Sequence, residues 1–231
     1  MSHSEIYLKT HCIDCKCKSG PFLALSAEQL KRVDRHRTEL SYKKGEMLCK
    51  QGTFISSMIF VKKGFVKLFL DNNDPTILSI VKSGSFIGLQ SLYGEDIFHY
   101  SAEALNDTEV CLTDIHTFRA LIIENPNFAK GIIEILNKDL IKSYNRLFSL
   151  TQKHINGRFA ELLIYMSKDM YNANPFELSI SRRDMADMIS TSPESVSRLM
   201  SEFKEQGIIK AKGHQVEIVD NQRLDNICKC G

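Results

Sequence analysis

Hydrophobic and polar positions change rhythm twice along the chain. Between about Leu40 and Ile115, short β-rich runs (Met58–Val61, Phe65–Leu70, Ile77–Val81, Glu109–Leu112) are separated by Gly45, Gly52, Gly64, Gly84 and Gly88. Short strands with glycine corners predict a compact antiparallel barrel or jelly roll. Upstream, Ser26-Ala-Glu-Gln-Leu30 reads as a helix start, because a serine with a glutamine three residues later forms a capping box. From Phe118 the period becomes helical. Ile133, Leu136, Leu140, Ser143, Leu147, Leu150 and His154 alternate by three and four, a seam of about three heptads. A long helix with so narrow a seam is expected to pair with a second copy as a parallel two-fold dimer. The other reading lays it on its own barrel. The polar Ser143 weakens the seam and suits an interface that adjusts.

A second domain begins near Arg158 with the helical stretch Phe159–Met166, followed by a loop over Asn172–Phe176 that contains Pro175. Ser181-Arg-Arg-Asp184 caps a short helix that stops near Ile189. Ser192 is the next N-cap, with Pro193 in the first helical position, and this helix runs through Phe203 to end by Gly207. Ile208–Ala211 and Gln215–Val219 then read as a hairpin around Lys212-Gly213.

Two helices joined by a tight polar turn, followed by a hairpin, form a winged helix-turn-helix. On its second helix Val196, Leu199, Met200 and Phe203 share the core face, at i, i+3, i+4 and i+7. Glu194, Ser197 and Arg198 lie on the opposite side, near the end that enters a major groove. Arginine bonds both guanine acceptors, glutamate accepts from cytosine's amino group, and serine reaches a base edge or a phosphate. Ser192 and Ser195, with the amides at the helix start, can hold phosphate. Arg182, Arg183, Lys210 and Lys212 can add backbone contacts. The plain alternative makes Glu194 and Arg198 a surface ion pair on an ordinary helix.

Composition narrows the classes. The chain has 231 residues, 43% hydrophobic and 25% charged, with 12 Gly and 5 Pro, which excludes disordered and fibrous classes. That length suits one large or two small domains. The longest apolar runs are interrupted by lysines, and the opening MSHSEIYLKTHC lacks a secretory signal's order, so a cytosolic protein is expected. No internal repeat appears. The net charge is only 30 − 28 = +2, and Thr151–Gly231 holds 11 basic and 11 acidic residues, which predicts weak non-specific DNA affinity. Seven cysteines rule out a fully paired disulfide framework. Cys12, Cys15 and Cys17 cluster, Cys228 and Cys230 stand near the end, and Cys49 and Cys111 stand alone. No nucleophile triad, phosphate loop or paired-carboxylate pattern is present, so no enzyme is expected.

A glycine-cornered barrel, a long dimer helix and a winged helix resemble the CRP/FNR superfamily of bacterial transcription regulators over nearly the whole chain. Ile180–Leu199 is similar to that family's helix-turn-helix signature, and Glu194, Ser197 and Arg198 resemble its FNR branch. The resemblance implies an α+β fold with a cyclic-nucleotide-binding-like sensor. It divides the chain into a cysteine-rich segment 1–25, a sensor barrel 26–125, a dimerisation helix 126–157 and a DNA-binding domain 158–231. It also implies a homodimer on double-stranded DNA reading TTGAT-type half-sites, with RNA polymerase as a partner and no membrane. Where cyclic-nucleotide-binding members carry a glutamate and an arginine, this chain has Leu89 and Tyr100, so cyclic AMP is not expected. FNR-type oxygen sensors hold a [4Fe–4S] cluster on an N-terminal cysteine group plus one barrel cysteine. The matching residues are Cys12, Cys15 and Cys111, while Cys17 departs from the family spacing, which falls on Pro21 here. Three readings stay open: that cluster; a zinc site or thiol switch involving Cys228 and Cys230; and thiols without a sensory role, with another effector in the barrel. A non-DNA-binding ligand-sensing module and a thiol oxidoreductase are the alternatives from other classes. The latter lacks the βαβ context around Cys12/Cys15.

Overall fold

The computed structural model describes residues 11–18, 20–72 and 75–230. They form two compact units, one holding the residues up to Pro75 with Ser79–Asp139, the other Thr76–Leu78 with Leu140 onward. Among the described residues, no helix is long and apolar enough to cross a membrane.

The first unit opens with α1 (Gly20–Leu23) and α2 (Ala27–Arg35). Both halves of the α2 capping box are present: Gln29 N donates to Ser26 Oγ at 3.2 Å, and Ser26 N donates to Gln29 Oε1 at 3.0 Å. Eight strands follow: β1 (Arg37–Tyr42), β2 (Met47–Cys49), β3 (Ser57–Lys63), β4 (Phe65–Leu70), β5 (Thr76–Lys82), β6 (Phe86–Ile87), β7 (Ser101–Ala104) and β8 (Thr108–Asp114). They make two four-stranded sheets, ordered β1-β8-β3-β6 and β2-β7-β4-β5. Val61 and Val110 of one sheet and Val66 and Ala102 of the other are fully buried in one core.

The helical run expected from Phe118 is two helices, α3 (Ile115–Glu124) and α4 (Pro126–Gln152). Asn125 breaks it: its Oδ1 accepts the Phe128 N–H at 3.0 Å, and its Nδ2 donates to Ala24 O at 2.9 Å. Phe118 and Phe128 meet at 5.3 Å, and Phe22 of α1 lies 5.7 Å from both Phe128 and Phe86. Phe60 completes this aromatic cluster, 5.0 Å from Phe86.

The second unit contains α5 (Ile155–Tyr165), β9 (Phe176–Glu177), α6 (Arg182–Met188), α7 (Pro193–Glu205), β10 (Ile209–Lys212), β11 (Gln215–Ile218) and α8 (Asn221–Cys230). The stretch expected to be a loop over Asn172–Phe176 ends in a strand. Phe176 pairs with Val216, giving the wing a third strand in the order β10-β11-β9. α8, which the sequence pattern did not mark, packs against α5 and buries Leu224.

The corner at Gly64 requires glycine on two counts. Its φ is +95°, and a Cβ there would lie 2.8 Å from the Asp107 carbonyl oxygen and crowd Thr108. Gly64→Ala is therefore expected to destabilise the protein by about 2–4 kcal/mol, read as a lowered denaturant midpoint with an unchanged slope. A wild-type midpoint would show that the corner is not constrained.

Candidate functional site

The helix-turn-helix is assembled from local caps. Ser181 Oγ accepts the Asp184 N–H at 3.0 Å, and Asp184 Oδ2 accepts the Ser181 N–H at 2.9 Å. After α6, Ser190 takes a left-handed φ of 50°, and Thr191 N returns to the Ala186 carbonyl at 3.0 Å. Ser192 then caps α7, accepting from Ser195 N at 3.2 Å. Arg158 secures the turn from below, donating from Nε to Ile189 O at 2.8 Å and from Nη1 to Lys153 O at 2.9 Å. Both carbonyls stand at chain reversals, so one guanidinium ties the end of α6 to the residue that follows α4.

α7 has two distinct faces. Val196, Leu199, Met200 and Phe203 are buried, with Phe203 edge-on to Phe159 at 5.1 Å. Glu194, Ser197 and Arg198 are exposed. The ion pair of Arg198 runs onward to Glu202, at 3.7 Å. Glu194 is held below the usual carboxylate range by its own backbone N–H and then by the Ser192 hydroxyl. Ser197 Oγ donates back to Pro193 O at 2.9 Å, which leaves its lone pairs as acceptors facing outward. Ser192 and Ser195 share a 3.3 Å hydroxyl contact, so phosphate binding there must compete with it.

The outer basic residues are less uniform. Arg183, Lys210 and Lys212 are exposed, and Lys210 stands 3.6 Å from Glu217 across the hairpin. Arg182 is half-buried, with Nη1 3.4 Å from Met185 Sδ, and burial pulls its guanidinium below the ordinary value.

Along α4 the apolar residues divide between faces. Ile133, Leu140 and Leu147 are exposed, as is Ser143, whereas Leu136 and Leu150 are half-buried and Leu136 packs on the barrel core. Ile141, Tyr144 and Phe148 extend the exposed stripe, the last two with 61% of their surface accessible. The three-and-four alternation identified the helix but not these flanking residues, which sit one step beside the seam.

The N-terminal cysteines lie over the β1-β8-β3 sheet. Cys12 N donates to both Asp34 carboxylate oxygens at 3.0 Å. Arg37 Nη1 donates to Cys111 Sγ at 3.3 Å, and Arg37 Nε donates to Asp34 Oδ1 at 2.8 Å. Cys12 and Cys111 lie within electrostatic reach of each other, Cys15 and Cys17 hydrogen-bond, and Lys62 lies within reach of Cys15, Cys17 and Cys111. Burial pushes the Cys12 thiol up to about 12 and Cys111 up to about 11, and it also raises Cys17. These thiols are therefore neutral at pH 7, and loading a metal on them releases protons. Among the described residues, no three His, Cys, Asp or Glu side chains already stand as a metal-holding group. The donors nevertheless fit a thiolate-ligated centre in kind: four free thiols, each within electrostatic reach of Arg37 or Lys62. Cys49 is a β2 strand residue hydrogen-bonded to Tyr100 O at 3.9 Å. Cys228 accepts from Lys153 Nζ at 3.4 Å, and the side chain of Cys230 lies outside the described residues.

At the β6 turn Gly88 takes φ +101°, and its N–H donates to Tyr100 Oη at 3.0 Å. Tyr100 Oη in turn donates to Gln90 Oε1 at 3.0 Å, and Leu89 is buried beside them. The turn's amide is thus satisfied from within the barrel.

The two halves match separate family descriptions: a cyclic nucleotide-binding domain over residues 39–125 and a Crp-like helix-turn-helix domain over residues 157–227. The transcriptional activator FnrA of Stutzerimonas stutzeri is 27% identical over 224 residues, which span 92% of this chain and 90% of that protein. The fumarate and nitrate reduction regulatory protein of Escherichia coli K12 is 23% identical over 93% of this chain and 88% of its own length. Among solved structures, FixK2 of Bradyrhizobium japonicum superposes with a TM-score of 0.76 at 26% identity, covering 83% of this chain and 96% of its own. The c-di-GMP responsive regulator CLP of Xanthomonas campestris shares the fold, with a TM-score of 0.72 at 20% identity over 84% and 99% of the two chains. Sensor barrel, reading helix and full-length activator relatives thus agree on one assignment, and the chain belongs to the CRP/FNR superfamily of DNA-binding transcription regulators.

Proposed function

We propose that this regulator is a homodimer that reads an FNR-like inverted repeat of TTGAT-type half-sites and responds to oxygen or redox state in the cytoplasm. The observation that carries the DNA reading is the α7 face. Glu194, Ser197 and Arg198 stand exposed at the N-terminal half of a helix whose other face is fully buried. An arginine donating to guanine and a glutamate accepting from cytosine specify bases, while the Ser192 and Ser195 hydroxyls, Arg182, Arg183, Lys210 and Lys212 supply the backbone contacts. RNA polymerase is the partner expected of an activator of this family.

The redox reading rests on Cys12, Cys15, Cys17 and Cys111, which would hold a [4Fe–4S] cluster, and is supported by the FNR-type names of the relatives. When bound, such a group supplies a centre that oxidants degrade. The internal satisfaction of Gly88 N–H by Tyr100, with Leu89 in place of a carboxylate, argues against cyclic AMP as the effector.

The chain's own residues provide a route from the thiols to α4. α1 follows the cysteine turn directly. Its Phe22 ring meets Phe128, and Gly131 leaves room for Pro21, since a Cβ there would lie 3.0 Å from Pro21 Cγ. A change in the thiol segment therefore bears on the helix whose exposed Ile133, Leu140, Ile141, Tyr144, Leu147 and Phe148 form the dimer stripe. Dimer geometry sets the spacing of the two recognition helices, and about one DNA turn, ~34 Å, presents both to successive major grooves.

Arg198→Ala is expected to weaken binding to a TTGAT-type inverted repeat by about 10- to 100-fold in fluorescence anisotropy, with melting unchanged. Unaltered binding to every duplex tested would remove the reading head from α7. Leu140→Glu with Leu147→Glu is expected to give monomers by sedimentation and to abolish operator binding together with dimerisation. Tight binding by a stable monomer would contradict the dimer.

A further inference from the structure

A buried ionic cluster joins the cysteine turn to the barrel, and neither the DNA contacts nor the assignment of the four thiols uses it. Asp34 lies in the last turn of α2 and Arg37 begins β1. The Arg37 side chain is only 3% exposed, yet its guanidinium faces Asp34 at 2.8 Å, Glu39, and the sulfur of Cys111 at 3.3 Å. Glu39 sits opposite Cys111 in the β1–β8 register and accepts from Lys62 Nζ at 2.6 Å. Asp34 holds Cys12 by its backbone N–H, at 3.0 Å to each oxygen, and hydrogen-bonds its thiol as well.

Stability does not explain this arrangement. Buried ion pairs lose in desolvation about what they gain in attraction, and well-packed apolar side chains often serve as well. What the cluster achieves is geometric. A continuous chain of charge-assisted bonds runs from the Cys12 amide through Asp34 and Arg37 to Cys111 Sγ, joining residues 99 apart in sequence (111 − 12). Cys15 and Cys17, both free thiols, make the other pair, within electrostatic reach of each other.

We propose that Asp34 and Arg37 are positioning residues for the thiolate-ligated centre. Asp34 seats Cys12 and Arg37 carries that seat to Cys111, so two of the four sulfurs are fixed relative to each other before any metal arrives. The inference rests on the reading of Cys12 and Cys111 as ligands. An N–H donated to a ligating sulfur also withdraws charge from it, so Arg37 raises the reduction potential of whatever centre Cys111 holds.

The test uses full-length wild type, Asp34→Asn and Arg37→Lys in two arms. Asparagine keeps the shape of Asp34 but turns one acceptor into an NH2 facing either the Cys12 amide or Arg37 Nε. Lysine keeps the charge of Arg37 without the fork that reaches both Asp34 and Cys111. In the first arm, metal-free reduced protein is alkylated with iodoacetamide and each cysteine is followed by mass spectrometry. Cys12 in Asp34→Asn is expected to react about 10-fold faster than in wild type or more, from loss of charge-assisted hydrogen bonds, with Cys49 unchanged as the folding control. If Asp34→Asn also exposes Cys49, Arg37→Lys decides, with Cys111 as the reporter. Wild-type rates at both thiols overturn the brace.

In the second arm, anaerobic reconstitution with ferrous iron and sulfide precedes a chelator challenge and a redox titration. Both variants are expected to lose iron about 10- to 100-fold more readily than wild type, and Arg37→Lys to titrate at a lower potential. If wild type loads and both variants match it in retention and potential, the positioning role is overturned while the ligand assignment stands. If wild type takes up no iron even though Cys12 is braced in the first arm, the ligand assignment itself fails and takes the role toward the metal with it.

Discussion

Five phenylalanine rings hold the sensor unit in one piece. Phe60 and Phe86 come from the sheet, Phe118 from α3, Phe128 from α4 and Phe22 from α1, with neighbouring centroids 5.0–6.5 Å apart. Each buried ring contributes both apolar area and edge-to-face attraction, so α1 docks although four residues cannot form a stable helix alone. That docking brings the cysteine turn back over the sheet. It also joins the turn to the start of α4 through Pro21 and Phe22, which meet Gly131 and Phe128.

Electrostatics in the two units follow opposite rules. In Thr151–Gly231, acidic and basic residues are equal in number, and acids sit beside bases they moderate. Glu202 lies near Arg198 and Glu217 near Lys210, at exposed positions where such pairs contribute little to stability. A phosphate backbone can displace them, so a neutral total is compatible with a reading head of modest non-specific affinity. Around Cys111 the charges are buried, geometrically defined and bonded to one another, which makes them devices of position rather than of long-range attraction.

What was legible in the sequence was local. Ser26, Ser181 and Ser192 cap their helices because a cap depends on residues three apart, and Pro193 marks a helix start for the same reason. The turn, the amphipathic α7 and the wing hairpin could be placed from such signals alone. The strand β9 could not, because Phe176 joins the sheet through a partner forty residues later (216 − 176). Nor could the orientation of α4, since packing of Leu136 on the barrel turns the exposed stripe toward Tyr144 and Phe148. Cysteine spacing identified the candidate ligands but not their grouping. Their neighbours Asp34, Arg37 and Lys62 meet partners from 3 to 74 positions away, which no local pattern marks.

In the function proposed above, a DNA-reading dimer carries a metal sensor on four thiols contributed by a turn and a strand. The most direct measurement is iron and acid-labile sulfide per chain in protein purified without oxygen. About four of each per chain are predicted, in a brown protein whose visible absorbance bleaches in air. Colourless protein free of iron and sulfide, still binding its operator, would show that the four thiols carry no metal sensor.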